Sequence, residues 1–117
     1  MDLIAIRQAL HSIPEAGFAE VKTQRYLLEC IAELPQQWLT VTTWRTGIIV
    51  RVTGYGAIKT IGWRADMDGL PIREQTGVTY ASTHDGFMHA CGHDCHMTIA
   101  LGLLARVTNE QPKNNII

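Results

Sequence analysis

Apolar residues recur every three or four positions in three parts of the chain, a spacing that predicts helices with one buried face. The predicted helices cover residues 3–10, 19–34 and, from residue 94 or 95, about 94–109. Asp2 is placed to cap the first helix, because an aspartate side chain accepts hydrogen bonds from the free amides of a helix N-terminus. Pro35 follows the second helix and cannot continue it.

The pattern changes after the second helix. Three segments rich in Val, Ile, Thr and Trp, at residues 38–44, 48–53 and 58–65, predict strands. Short turns that contain glycine separate them, at residues 46–47 and 54–56. Helices on both sides of a run of strands indicate one α/β domain, with its helices packed on a sheet.

The last residues of the chain resemble the opening of another strand. Residues 114–117 read Asn-Asn-Ile-Ile, a polar turn followed by apolar residues that a sheet would bury. A natural domain rarely ends at such a point. We therefore expect residues 1–117 to be the N-terminal portion of a larger catalytic domain.

Composition and charge argue against nucleic-acid binding, a membrane span and secretion. Ten Lys and Arg against eleven Asp and Glu give a formal net charge of −1, so no basic patch predicts nucleic-acid binding. No segment approaches the roughly 20 apolar residues that a membrane span needs, and the start lacks the features of a secretory signal. We expect a cytoplasmic protein whose three cysteines are free thiols or metal ligands.

The densest chemical signal is the segment H-A-C-G-H-D-C-H at residues 89–96, with three of the five histidines and two of the three cysteines. Thiolate and imidazole are usual ligands of zinc and similar divalent ions. Only Gly92 lies between Cys91 and His93, so either a straight strand or a turn at Gly92 lets both side chains approach one metal ion. Asp94 is placed to cap the following helix or to orient an imidazole.

Two other interpretations of this segment stay open. The segment is also compatible with a capped helix start that carries one buried cysteine and solvent-facing histidines. A closed structural zinc site is less favoured, because no second Cys or His pair occurs elsewhere in the chain to complete four ligands.

Two other segments are candidates for site residues. Asp66 and Asp68 follow the predicted strand 58–65, and open α/β sheets bind ligands at the carboxyl ends of their strands. The two carboxylates are suited to hold a metal ion or fix a ligating imidazole, or else to bond their own backbone in a polar turn. His11 and Glu15, in the loop after the first helix, are either site residues or surface and capping residues.

Three segments together resemble one family. They are H-S-I-P-E-A-G-F-A-E (11–20), R-A-D-M-D-G-L-P-I (64–72) and H-A-C-G-H-D-C-H-M-T-I-A-L-G (89–102). In order and spacing they resemble the amidohydrolase branch of the di-metal aminoacylase/carboxypeptidase family. That branch includes hippurate hydrolases, auxin-conjugate hydrolases and N-acetyldiaminopimelate deacetylases, and segments 44–48 and 60–72 resemble the last group most.

The resemblance implies a fold and a set of site residues. The fold is α/β: the N-terminal part of a three-layer, zinc-exopeptidase-like catalytic domain in which helices pack on a mixed β-sheet. Cys91 and His93 match the metal ligands of the family. Asp66 and Asp68 match its active-site aspartates, and Asp68 is the one implied to orient a metal-bound imidazole. Two divalent metal ions, zinc, manganese or cobalt, are implied for the complete enzyme.

The resemblance also implies a reaction, the hydrolysis of a small N-acyl amino acid by a homodimeric enzyme. The expected case is deacetylation of N-acetyldiaminopimelate to diaminopimelate and acetate, on the route to lysine. The family's Q-P-A-E-E-type segment, with its general-base glutamate, does not occur in these residues, so we expect the chain alone to be inactive. The alternatives are a related hippurate or aminoacylase-type amidohydrolase, or a small self-contained metal-binding module.

Overall fold

The computed structural model describes residues 1–117 and contains three helices and four strands. In chain order these are α1 (Leu3–His11), α2 (Val21–Ala32), β1 (Leu39–Trp44), β2 (Gly47–Val52), β3 (Thr60–Ile61), α3 (His93–Asn109) and β4 (Asn115–Ile116). Each helix lies within two residues of its predicted bounds. The Asp2 carboxylate caps α1 as predicted, accepting hydrogen bonds from the amides of Ile4 and Ala5 at 3.0 and 3.1 Å.

The four strands form one mixed sheet in the order β1-β2-β4-β3. β1 and β2 are an antiparallel hairpin whose register runs from the Leu39–Val52 pair to the Trp44–Gly47 pair. β4 is antiparallel to β2 and parallel to β3. Helices and a mixed sheet together confirm the predicted α/β class.

The third strand is much shorter than predicted. Its apolar, β-branched composition predicts a strand over residues 58–65, but β3 contains only Thr60 and Ile61. These two residues pair with β4 alone, and beyond them one hydrogen bond on each side continues the contact: the Asn115 amide donates to the Lys59 carbonyl at 3.2 Å, and the Trp63 amide donates to the Ile117 carbonyl at 2.7 Å. A segment of strand-forming residues becomes a strand only where a neighbouring strand pairs with it.

The buried core lies among the three helices. Its six members are Ile6, Leu10, Leu27, Ile31, Met97 and Leu101. α1 approaches α3 closely at Gly102, where a Cβ atom would lie 3.0 Å from Leu3 Cδ1. None of the three helices has both the length and the apolar content to cross a membrane. The close packing of α1 on α3 holds in place the helix that begins at His93, one of the candidate metal ligands.

The sheet face towards α3 is only partly filled. A groove of about 330 Å³ lies there, lined by 18 residues of which 17 are hydrophobic. Trp63 and Ile117 at its rim are 53% and 45% exposed. The groove reaches the buried core, because Leu27, Ile31, Met97 and Leu101 belong to the core and also line it.

Candidate metal centre

The turn that leads into α3 carries the predicted metal ligands. Gly92 precedes the helix with φ of 79°, in the left-handed region where a residue with a Cβ is strained. Cys91 lies before it with an exposed thiol, and His93 is the first residue of the helix. Of the two backbone geometries left open by the sequence, the structure has the turn and not the straight strand.

His93 is oriented by Asp68. The Nδ1 atom of His93 lies 2.9 Å from the Asp68 carbonyl oxygen and 2.9 Å from its Oδ1 atom. Both partners are acceptors, so Nδ1 carries the proton and Nε2 keeps its lone pair for another ligand. Nε2 lies 3.9 Å from Asp66 Oδ2, which is too far for a hydrogen bond. This geometry supports the expected role of Asp68, although the ligand and catalytic assignments stay predictions.

Asp66 has a different environment from Asp68. Its Oδ1 atom forms an ion pair with Arg64 Nη2 at 2.6 Å, and the two side chains are 42% and 86% exposed. The polar-turn alternative, in which the aspartates bond their own backbone, has no support here for Asp68, whose carboxylate contacts His93. The two predicted site aspartates are thus brought to one place but hold different partners.

The loop after α1 packs against the Asp68 segment. The Gly69 amide donates a hydrogen bond to the Glu15 carbonyl at 2.7 Å. A Cβ atom on Gly69 would lie 2.7 Å from Pro14 Cβ, so only glycine permits this approach. Segments 11–20 and 64–72, which the sequence singled out separately, are therefore in direct contact.

Glu15 has the capping role that was left open for it. Its carboxylate accepts hydrogen bonds from the amides of Lys22 and Thr23, at 3.1 and 2.8 Å, and from the Thr23 hydroxyl at 2.8 Å. Partial burial raises the pKa of Glu15, but these hydrogen bonds outweigh it and the net pKa lies below its ordinary value. Glu15 therefore fastens the loop to the first turn of α2.

His11 is buried, so the surface alternative for this residue is wrong. Its Nδ1 atom lies 2.7 Å from Asp94 Oδ2, and its Nε2 atom lies 3.0 Å from Glu74 Oε1. Arg7 Nε forms an ion pair with the same Asp94 oxygen at 3.0 Å. The side chains of His11, Glu74 and Asp94 are only 4%, 5% and 1% exposed, and that of Arg7, which reaches them from the surface, is 31% exposed. We call these four residues the buried network.

The charges of the buried network balance. Ionised carboxylates only accept hydrogen bonds, so both His11 contacts are hydrogen bonds when both ring nitrogens carry protons. The network then holds two positive and two negative groups. Burial raises the pKa of Asp94, but the His11 and Cys95 hydrogen bonds and the Arg7 charge hold the pKa below its usual value. Glu74 behaves likewise: burial is outweighed by hydrogen bonds from Thr76, Ser82 and His11, and its pKa is lowered.

His89 is a buried imidazole of the 89–96 segment, 4% exposed, whose ring nitrogens have no hydrogen-bond partner in the chain. Burial is the main cause that lowers the pKa of His89, and the nearby His11 and His93 add to it. A neutral imidazole, the Cys91 thiol and the His93 Nε2 atom are donors of the type that divalent ions of the zinc kind take.

The chain nevertheless offers only part of a coordination sphere. No three His, Cys, Asp or Glu side chains are grouped so as to hold one metal ion. Structural zinc sites use four ligands and catalytic sites use three protein ligands. The residues present therefore fit a divalent ion in donor type and fall short in number. Sequence reasoning missed Glu74, and nothing in its local sequence signals that it faces His11.

Comparisons with known proteins agree with this picture. A model of peptidase family M20/M25/M40 matches residues 62–116. The N-acetyldiaminopimelate deacetylase of Halalkalibacterium halodurans is 58% identical over 115 residues, which is 98% of this chain and 31% of that protein. The protein of the same name from Streptococcus pneumoniae (strain Hungary19A-6) is 58% identical, over 100% of this chain and 32% of that protein. The chain thus spans about a third of the length of these curated relatives.

A solved structure supports the fold independently. A Bacillus subtilis protein, described as a dinuclear metal-binding peptidase from the M20 family, superposes with a TM-score of 0.90 at 35% identity. The superposition covers 97% of this chain and 33% of that chain. The α/β class and the resemblance inferred from three sequence segments are both confirmed.

Proposed function

We propose that this chain belongs to peptidase family M20/M25/M40, whose model matches residues 62–116, and that it supplies part of the metal site of an enzyme that deacetylates N-acetyldiaminopimelate. The observation that carries the proposal is the fixed His93 imidazole. Two Asp68 oxygens accept hydrogen bonds from Nδ1 at 2.9 Å, which leaves Nε2 without a hydrogen-bond partner, and the exposed Cys91 lies two residues earlier in the chain. The substrate is proposed from the name of curated relatives that are 58% identical across the chain.

In this proposal the chain's own residues bind and orient. Cys91 and His93 hold a divalent ion, and Asp68 keeps the His93 ring in one tautomer and one orientation. When bound, such an ion polarises an amide carbonyl and lowers the pKa of a bound water. Asp66 forms an ion pair with Arg64, and its second carboxylate oxygen lies 3.9 Å from His93 Nε2.

The remaining ligands and the general base are proposed to come from residues outside these 117. No group of three ligands is present in the chain, and it spans about a third of its relatives. The same lack of a three-ligand group disfavours a self-contained metal-binding module. Zinc, manganese or cobalt as the metal, a homodimer and a cytoplasmic location belong to the same proposal.

A cobalt titration tests the ligand assignment. Co²⁺ held by a thiolate gives a near-ultraviolet charge-transfer band, so the wild-type chain should show the band and Cys91→Ala should abolish it. Cys95→Ala is the matched control, because Cys95 is exposed and four residues away in the same segment. Loss of the band in Cys95→Ala with retention in Cys91→Ala would sink the assignment.

An assay for released acetate tests whether the general base lies outside the 117 residues. With Co²⁺ or Zn²⁺ and N-acetyldiaminopimelate, the chain alone should release acetate no faster than buffer with the same metal. Metal-dependent acetate release that Cys91→Ala removes would place a working general base within the 117 residues. That outcome would contradict the proposal that the base lies elsewhere.

A further inference from the structure

We infer that His11 is a positioning residue for the candidate metal ligands, acting through Asp94 on the turn that holds Cys91 and His93. This inference rests on the proposed function. His11 is on α1, and it is separated from Asp94 on α3 by 83 positions in the sequence. It contacts neither Cys91 nor His93 by any hydrogen bond in the structure.

The first step of the argument is that α3 lacks an ordinary N-terminal cap. Its N-cap residue is Gly92, which has no side chain to accept hydrogen bonds from the free amides of the first turn. Asp94 Oδ1 accepts a hydrogen bond at 2.9 Å from the Cys95 amide, which also donates to the Gly92 carbonyl at 3.1 Å. The conformation of this turn therefore depends on where the Asp94 carboxylate is held.

The second step is that elements outside α3 hold that carboxylate. Its other oxygen, Oδ2, accepts a hydrogen bond from His11 Nδ1 at 2.7 Å and forms an ion pair with Arg7 Nε at 3.0 Å, and both partners lie on α1. Glu74 then fixes the far side of the His11 ring through Nε2 at 3.0 Å. The ring of His11 cannot turn without breaking one of two buried hydrogen bonds.

The third step connects the turn to the ligands. Asp94 follows His93 directly, and His93 also reaches Asp68 through Nδ1, so the imidazole is held from two sides. A metal site binds tightly when its donors are already placed before the ion arrives. Loosening Asp94 should leave both donors present and less well placed.

The test measures Co²⁺ affinity and unfolding free energy for one series of His11 variants. His11→Ala should weaken Co²⁺ binding by about 10- to 100-fold, the usual effect of losing a residue that orients a ligand. In His11→Asn the amide nitrogen takes the place of Nδ1, so Asp94 keeps a donor and Co²⁺ affinity should largely return. In His11→Gln the amide nitrogen takes the place of Nε2, so only the Glu74 contact is rescued and Co²⁺ affinity should stay low.

Ile31→Ala is the control for stability alone. Ile31 is a buried core residue of α2 that belongs to neither the network nor the turn. It should lower the free energy of unfolding and leave the Co²⁺ affinity of the folded chain unchanged.

The outcomes separate this inference from the proposed function. If Cys91→Ala abolishes binding while His11→Ala binds Co²⁺ as wild type does, the positioning role is overturned and the ligand assignment stands. If Cys91→Ala binds Co²⁺ as wild type does, the proposed function loses its metal site. If His11→Gln recovers affinity as well as His11→Asn does, the route through Asp94 is wrong. His11→Asn supplies the decision if His11→Ala does not fold.

Discussion

Two histidine–aspartate contacts meet at the start of α3 and differ in almost every property. His11 has both ring nitrogens bonded, to Asp94 and Glu74, and its side chain is 4% exposed. His93 has one ring nitrogen bonded, to Asp68, whose side chain is 37% exposed. We call the His11–Asp94 contact closed, because both nitrogens of its imidazole are bonded, and the His93–Asp68 contact open, because only one is bonded.

The difference shows which histidine has capacity for a ligand. A fully bonded, buried imidazole has no lone pair to give, so His11 serves the structure around it. His93 keeps Nε2 for a partner, and its side chain is 13% exposed, against 4% for His11. Residue type alone does not distinguish them; the second hydrogen bond does.

The largest effect that tests this comparison comes from removing each aspartate. Asp94→Ala leaves His11 and Arg7 without their buried counter-charge, and breaking such a pair costs about 3–5 kcal/mol of unfolding free energy. Asp68→Ala removes a partly exposed contact and should cost less than about 1 kcal/mol. Urea unfolding of both variants measures the two costs. Equal losses would mean that the closed and open contacts do not differ energetically.

A smaller loss of unfolding free energy is expected from a substitution at Gly69, the residue that follows Asp68. Gly69→Ala forces a Cβ atom to within 2.7 Å of Pro14 Cβ, and such overpacking costs about 1–3 kcal/mol. Gly56→Ala is the matched control, because a Cβ atom there meets nothing within 4 Å, and its effect should stay within about 0.5 kcal/mol. Thermal unfolding compares the pair. A neutral Gly69→Ala would show that the loop after α1 yields easily and does not fix Asp68.

The smallest effect concerns acid. The pKa values of Asp94 and Glu74 lie below their ordinary values in the folded chain, so the fold favours both carboxylates in the ionised form. That stabilisation is present at neutral pH and is lost as pH falls from about 4.5, the ordinary value for Glu74, through the folded pKa values. Glu74→Gln should flatten this acid loss in urea unfolding between neutral pH and pH 3. An unchanged slope would contradict the closed-network interpretation.

The sequence predicts the helices better than the sheet. The α1 helix has a cap and an apolar face written into residues 2–10, and these local signals suffice. The 58–65 segment has an equally clear strand composition, yet only Thr60 and Ile61 pair. Strand length depends on a partner that the segment itself does not encode.

The candidate site follows the same rule. Asp94 was expected either to cap a helix or to orient an imidazole, and it bonds both the Cys95 amide and His11. Which imidazole it would meet was not readable, because His11 is 83 positions away. The sequence around Glu74 gave no signal of its role, because that role is a hydrogen bond with His11, 63 positions away in the chain. Side-chain chemistry is readable from sequence, and long-range pairing is not.

The buried network also has a consequence for the order of folding. Its members come from residues 7, 11, 74 and 94, so it closes only after a loop spanning most of the chain has closed. Contacts of such high sequence separation form slowly, because the entropy of closing the loop is lost before they stabilise anything. Opening α1 alone would strand charged groups in the interior. We therefore expect helix α1 and the first turn of α3 to open and close as one cooperative unit, with amides that exchange with solvent together.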